Sequence, residues 1–362
     1  MNKIKNFRCL LRKSNQILNI NFIDLLLKSK ESIFLILIFF ITVFRNGLGI
    51  HGASKNLFYE ETGRRYDLTE YSSSPIFLLL KILVHGNYIY WLAIHIFCMF
   101  AVLISFIYLA RKLLNPISFR ISLFLFSLSP LISVMLKTIG YYDPFVYLAI
   151  IIGTLARRKS SAYFAGFLFA TSHSQAAVVS SIGLYFMLKT GPFKKFQLKL
   201  NTLLFVKVSF FSGLFVSILS YFFWRSERYT LIKGGLSDAI YSFFYSLPQH
   251  IYCTFGSLWI FIFIATSVYI KRGNSLVEPI FLIFLAYSVQ FITNDGTRIS
   301  LLITGSSLII FIIMFSEIFY KNLLSNQYLV LSSIVTPAII VQNIYINPSY
   351  RQFMMLIKKL IG

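Results

Sequence analysis

Acidic residues are scarce, 12 in 362, against 34 Lys and Arg. Charged residues of both signs make up 13% of the chain, where soluble domains carry ~25%, and apolar types reach 57%. With a mean hydropathy of +0.73, too little polar surface exists to coat a water-soluble body, so the composition predicts an integral membrane protein. Disorder, a collagen-like chain and a secreted disulfide scaffold are excluded on the same ground. The three cysteines, Cys9, Cys98 and Cys253, show neither C-x-x-C nor Cys/His spacing, so no zinc cluster or disulfide framework is expected. Walker, G-x-G-x-x-G, H-E-x-x-H and G-x-S-x-G motifs are all missing, as is an inverted internal repeat of the secondary-transporter kind. About thirty polar and basic residues precede the first apolar run, and no small-residue cleavage site follows it. That run is expected to stay as an anchor rather than leave as a signal peptide.

What is abundant is apolar sequence of membrane-spanning length. A spanning helix needs about 20 mostly apolar residues, fewer where the bilayer thins or the helix is buried among others. Runs occur near 33–48, 88–110, 121–136, 144–156, 203–224, 251–270, 276–293, 299–319 and 329–344. Residues 162–188 are long for one span and carry Thr171, Ser172, His173, Ser174 and Gln175 at their middle, which predicts two short helices meeting at His173.

The net charge of +22 would suggest nucleic acid in a soluble chain. Here the basic residues lie mainly in short loops between apolar runs, which is the pattern that orients a membrane protein. With a cytoplasmic N-terminus and the paired reading of 162–188, basic groups near Arg111, Arg120, Arg157, Lys194 and Arg272 all fall on the inner side. The expectation is an all-α polytopic bundle of about 10–11 membrane segments, some short, forming one integral membrane domain over 1–362. Residues 1–31 form its basic cytoplasmic arm, 49–87 a first outer loop with an interfacial helix, and 347–362 an amphipathic tail.

Under this topology eight of the twelve acids face outward: Glu60, Glu61, Asp67, Glu70, Asp143, Glu227, Asp238 and Asp295. Carboxylates contribute little to orientation, so their clustering there calls for another reason, unless longer polar loops simply collect charge of both signs. The first outer loop supplies Glu60, Glu61 and Asp67 as candidate bases. It adds Arg64 and Arg65 to hold phosphate oxygens and Tyr66 to stack on or hydrogen-bond a sugar. The apolar segment 76–84 that follows is too short to span and would lie in the interface. A second outer loop, Lys137 to Pro144, offers Tyr142 and Asp143; the carboxylate fits both a helix start before Pro144 and a metal or sugar ligand. His173 is a candidate because a histidine at membrane depth is costly without a role, although a satisfied helix-contact histidine is as common. Asn294-Asp295-Gly296-Thr297-Arg298 forms a tight turn that places a lone cation at a helix start, where an anion such as phosphate, or Asp295 itself, would answer it.

In arrangement the chain resembles the GT-C superfamily of membrane glycosyltransferases. The likeness runs from the basic start and first span through RYDLTEYSSSPIFLLLKIL, GYYDP and RRKSSAYFAGFLFATSHSQAA to NDGTR. It implies a GT-C-like fold and transfer of a sugar from a polyprenyl-phosphate or -diphosphate donor to a glycan, lipid or protein acceptor. The reaction would occur at the outer face of a bacterial cytoplasmic membrane. It further implies an acid of the first outer loop as general base, by position Glu60, Glu61 or Asp67. The chemistry of such a transfer, which needs a base for the acceptor hydroxyl and cations or a metal for the departing phosphate, favours Glu61 or Asp67 as base and Asp143 as metal (Mg or Mn) or acceptor ligand. Arg298 with Arg64 or Arg65 would hold the phosphate. In the family the acid usually follows the first span closely, where this chain has Arg45, Asn46 and His51. Two other readings share the features: an O-antigen or exopolysaccharide polymerase, and a non-enzymatic flippase or carrier of lipid-linked glycans.

Overall fold

The computed structural model describes residues 22–50, 74–85, 87–189, 201–223, 252, 254–271, 296–318, 331–334 and 336. They are helical, with no strand among them. In order they form α1 (Phe22–Lys28), α2 (Glu31–Asn46), α3 (Ile76–Leu83), α4 (Tyr88–Leu113), α5 (Pro116–Leu128) and α6 (Pro130–Lys137). These are followed by α7 (Asp143–Thr154), α8 (Lys159–Ser172), α9 (Ser174–Lys189), α10 (Thr202–Phe223), α11 (Leu258–Lys271) and α12 (Gly296–Ile318).

Two of these helices, α4 and α10, are long and apolar enough to cross a membrane, and a third crossing is available if α5 and α6 together make one bent span. Their surfaces agree with that. On α4 the buried positions Trp91, His95, Cys98, Val102, Phe106 and Ala110 recur every three or four residues, while Ile89, Phe97, Phe100 and Ile104 stay exposed. The stripe facing the bundle is thus no more apolar than the face turned away, as a lipid-facing helix requires. On α10 Phe211, Phe215, Ile218 and Phe222 are likewise exposed.

At the centre lies α7, buried on all sides and packed on α4, α8 and α12. Its first turn carries Pro144 at a position where the missing N–H costs nothing. Glycine sets the contact distance on either side of it. A Cβ on Gly153 would come within 2.2 Å of the Phe205 ring on α10, and one on Gly305 of α12 within 3.1 Å of Ile150.

Two expectations about helix breaks meet the structure differently. The run 121–136 is not one helix: it divides at Ser129, and α5 and α6 meet at 51°. Pro130 lacks the N–H that would continue α5, so the chain restarts in a new direction. The helix pair expected at 162–188 is present as α8 and α9 on either side of His173. The apolar runs 276–293 and 329–344, the N-terminal arm and the C-terminal tail lie outside the described residues in whole or large part.

The helices have two distinct ends. At one, Arg111 pairs with Glu31 at 3.1 Å and Arg120 donates to the Ser29 carbonyl at 2.7 Å. Asn201 binds the carbonyls of Ala156 (2.7 Å) and Arg157 (2.8 Å) there. At the other, the Gly49 N–H donates to the Leu136 carbonyl at 2.9 Å, Ile50 forms a parallel bridge with Ile139, and Trp91 Nε1 donates to the Gly140 carbonyl at 3.1 Å. Basic side chains thus gather at the first end, and the short loop before α7 occupies the second.

Candidate functional site

The loop Thr138 to Tyr142 turns through Gly140, whose φ of +89° is left-handed and favours a residue without Cβ. Trp91, buried one turn into α4, holds this turn through its indole N–H. Its ring lies tilted against His95 at 4.6 Å between centroids, and His95 meets Phe145 edge-on at 5.3 Å, so α4 braces the start of α7 from one side.

With the turn fixed, Tyr141, Tyr142 and Asp143 meet Arg298 from the first turn of α12. Arg298 Nε lies 3.2 Å from Asp143 Oδ1, and Nη2 donates to the Tyr142 hydroxyl. The guanidinium also lies over both phenol rings, 4.2 Å from the Tyr141 centroid and 4.9 Å from that of Tyr142. All four residues are buried. A desolvated cation at a helix start is doubly unfavourable, and here one carboxylate and two aromatic faces compensate it together.

His173 completes the cluster from the break between α8 and α9, its ring edge-on to Tyr142 at 5.0 Å. Its carbonyl accepts the Ala177 N–H at 3.0 Å, the first helical hydrogen bond of α9. Its Nδ1 accepts the Ala176 N–H at 3.2 Å, so the side chain serves as the N-cap of α9. The neighbouring Ser172 carbonyl accepts the hydroxyl of Ser74, two residues before α3. Helix α9 then packs along α12, whose first turn carries Arg298.

The structure therefore brings together Tyr142, Asp143, His173 and Arg298, four candidate residues from three distant parts of the chain. Glu60, Glu61, Arg64, Arg65, Tyr66, Asp67 and Asp295 lie outside the described residues. Both ends of the stretch that carries the first six are nevertheless tied to this cluster. Gly49 and Ile50 are bonded to Leu136 and Ile139 in front of it, and Ser74 is bonded beside His173.

Arg45, standing where the family resemblance would put an acid, has a different place. It donates to the carbonyls of Leu128 and Thr336, each at 3.0 Å, and to the Ser257 hydroxyl. The Leu128 carbonyl is one that the break before Pro130 deprives of a helical partner, so Arg45 caps α5 from α2. Trp91 and Gly140 are supports that the sequence marks only weakly. The available signal was a glycine directly before two adjacent tyrosines in a very short loop.

For a metal, the described residues contain no group of three His, Cys, Asp or Glu side chains placed to share an ion. Asp143 has its Oδ1 on Arg298, so a cation on that carboxylate would compete with the guanidinium and would need further ligands from outside the described residues. Compared with family models, with curated proteins and with solved structures, the chain finds no match.

Proposed function

We propose that the chain is a membrane glycosyltransferase of the GT-C type, moving a sugar from a polyprenyl-phosphate or -diphosphate donor onto a glycan, lipid or protein acceptor at the outer membrane face. The observation that carries this reading is the meeting of Asp143, Arg298, Tyr142 and His173 at the helix end where both ends of the acid-rich 51–73 stretch are fastened. In the proposed reaction Glu60, Glu61 or Asp67 takes the proton of an acceptor hydroxyl. That oxygen attacks the anomeric carbon, and the bond from this carbon to the phosphate oxygen breaks, releasing the lipid phosphate. Because Asp143 already balances Arg298, the leaving phosphate is assigned chiefly to Arg64 and Arg65, and the Asp143–Arg298 pair to hydroxyl groups of the sugar or acceptor. A divalent metal at Asp143 belongs to the proposal only together with ligands from the outer loops. The remaining topology, with 10–11 segments and the basic helix ends in a bacterial cytoplasm, belongs to it too.

The carrier reading draws on one observation, hydroxyl groups along buried helix interiors: Ser122, Ser127 and Ser133 on α5 and α6, and Thr304, Ser306 and Ser307 on α12. Four of them back-bond to carbonyls of their own or the preceding helix turn. That is how small residues let membrane helices approach closely without forming a polar path.

The test is sugar transfer in liposomes containing purified protein, a panel of short-chain polyprenyl-phosphate and -diphosphate hexoses and a mixed acceptor pool. Wild type is expected to transfer from at least one donor, and one of Glu60→Ala, Glu61→Ala and Asp67→Ala to lose about 100-fold or more, the usual contribution of a positioned base. Full transfer by all three variants would contradict the assignment of the base, and lipid movement without transfer would favour a carrier.

A further inference from the structure

Two rows of exposed side chains at the basic end of the helices repeat one pattern. On α4 the row is Ile104, Tyr108 and Lys112; on α8, which runs the opposite way, it is Phe167, Tyr163 and Lys159. Steps of four residues keep each row on one helix face. From the middle of the helix towards its end, each passes from an apolar side chain to a phenol and then to an ammonium. A bilayer changes in the same order, from acyl chain through interface to headgroup. Tyr108 joins the two rows. Lys112 donates to its hydroxyl and stands 4.0 Å from its ring centroid, and Arg158, the residue before α8, acts electrostatically on the same phenol. The backbone beneath is fixed, because Asn201 donates to the Ala156 and Arg157 carbonyls at 2.7 and 2.8 Å.

These cations are not balanced locally. Glu31 is paired with Arg111, and among the described residues no carboxylate pairs with Lys112, Arg158 or Lys159. The first turn of α8 holds no acid either, although that is where the helix dipole favours one. Orientation in a membrane asks for basic residues on this side, not for cations of two helices around one phenol. An anion between them relieves the repulsion, and an anion at the head of two apolar rows is a lipid phosphate. We infer that Lys112, Arg158 and Lys159 hold the phosphate of an anionic phospholipid whose acyl chains lie along Ile104 and Phe167. Lys112 keeps N–H donors beyond the one on Tyr108, and Arg158 adds a planar fork suited to phosphate oxygens. A zwitterionic lipid brings its own ammonium to the same place and loses the advantage. The site lies at the opposite end of the helices from Asp143 and does not rest on the glycosyltransferase reading.

A third row supplies an internal control. On α9, Ile182, Tyr185 and Lys189 are exposed, and the Lys189 ammonium stands 5.5 Å from the Tyr185 centroid. This row belongs to one helix and has the form of an ordinary interfacial anchor. The full-length protein in non-ionic detergent is titrated with phosphatidylglycerol, with phosphatidylcholine of the same acyl chains, and with glycerol phosphate. Bound lipid is counted by native mass spectrometry, and the thermal midpoint is followed in parallel. Wild type is expected to retain phosphatidylglycerol at about a tenth of the phosphatidylcholine concentration needed. Glycerol phosphate, which has no chains, should neither bind measurably nor raise the midpoint.

Lys112→Gln and Arg158→Gln should each weaken phosphatidylglycerol retention about fivefold, the worth of one cation at a membrane surface, and the double variant about 20-fold or more. Arg158→Lys keeps the charge and should retain most of the binding, and Lys189→Gln should bind as wild type does. All these side chains are exposed, so every variant should melt near wild type without added lipid. Equal retention of the two lipids by wild type, a result that needs no variant, would overturn the proposal. Protection by glycerol phosphate equal to that by the lipid would show a free-anion site instead. Undiminished retention by the double variant, or an equal loss in Lys189→Gln, would reduce the cluster to general surface charge.

Discussion

At the scale of single residues, the account depends on a cation that survives burial only because of its neighbours. Arg298 is 5% exposed and Asp143 fully buried, and the two form an ion pair at 3.2 Å. Removing one charge leaves the other unbalanced in a dry site, a loss of about 3–5 kcal/mol, whereas removing both at once can be close to neutral. Asp143→Asn and Arg298→Gln are each expected to lower the thermal midpoint of the detergent-solubilised protein strongly, and the double variant to recover a large part of the loss. Strict additivity of the two effects would contradict the pair. Much of this was readable in the sequence. Asp143 before Pro144 and Arg298 behind a tight turn both raised the question of a partner, but the sequence could not show that they answer each other. Asp295, three residues before Arg298, is an equally good local partner by sequence and lies outside the described residues, while packing brings the distant Asp143 to the guanidinium. The cation–π role of Tyr141 and the indole support from Trp91 were beyond reach for the same reason, since neither has any signature in spacing.

Among the elements, breaks matter more than spans. The break at His173 was legible because five polar residues in a row interrupt an apolar stretch. The break at Ser129 leaves little trace in the sequence, since Pro130 sits in an otherwise unbroken apolar run and Ser129 alone is a weak signal. Its structural consequence is a carbonyl, that of Leu128, with no helical donor, and Arg45 supplies one from α2 while also binding Thr336 and Ser257. Replacing Arg45 by Met keeps much of the side-chain volume and removes three charge-assisted hydrogen bonds. At about 1.5–3 kcal/mol for a hydrogen bond to a charged group, set against the relief of a half-buried charge, a net loss of about 2 kcal/mol in stability is expected. Thermal unfolding checks it, together with proteolysis at the α5–α6 junction, where the uncapped break should open first. Unchanged melting and unchanged cleavage would mean that the three bonds add nothing.

For the whole molecule, charge in the sequence marks sides before it marks residues. The structure contains the corresponding asymmetry: Arg111, Arg120 and Arg157 stand at one end of the helices, and Gly49, Ser74, Gly140, Asp143, His173 and Arg298 come together at the other. Charge patterning reveals this because moving ions across a bilayer is expensive, so the loops of one end share a composition even when they are far apart in sequence. Contacts among those loops are set by packing and carry no such imprint. The central claim, that the acid-rich stretch and the Arg298 turn open onto the same outer compartment, is tested most directly by labelling single cysteines at Tyr66 and Gly296, with Cys9, Cys98 and Cys253 replaced by serine. In intact cells a membrane-impermeant maleimide should modify both positions, and neither should require the membrane to be opened. Modification of one from outside and of the other only after permeabilisation would contradict the account.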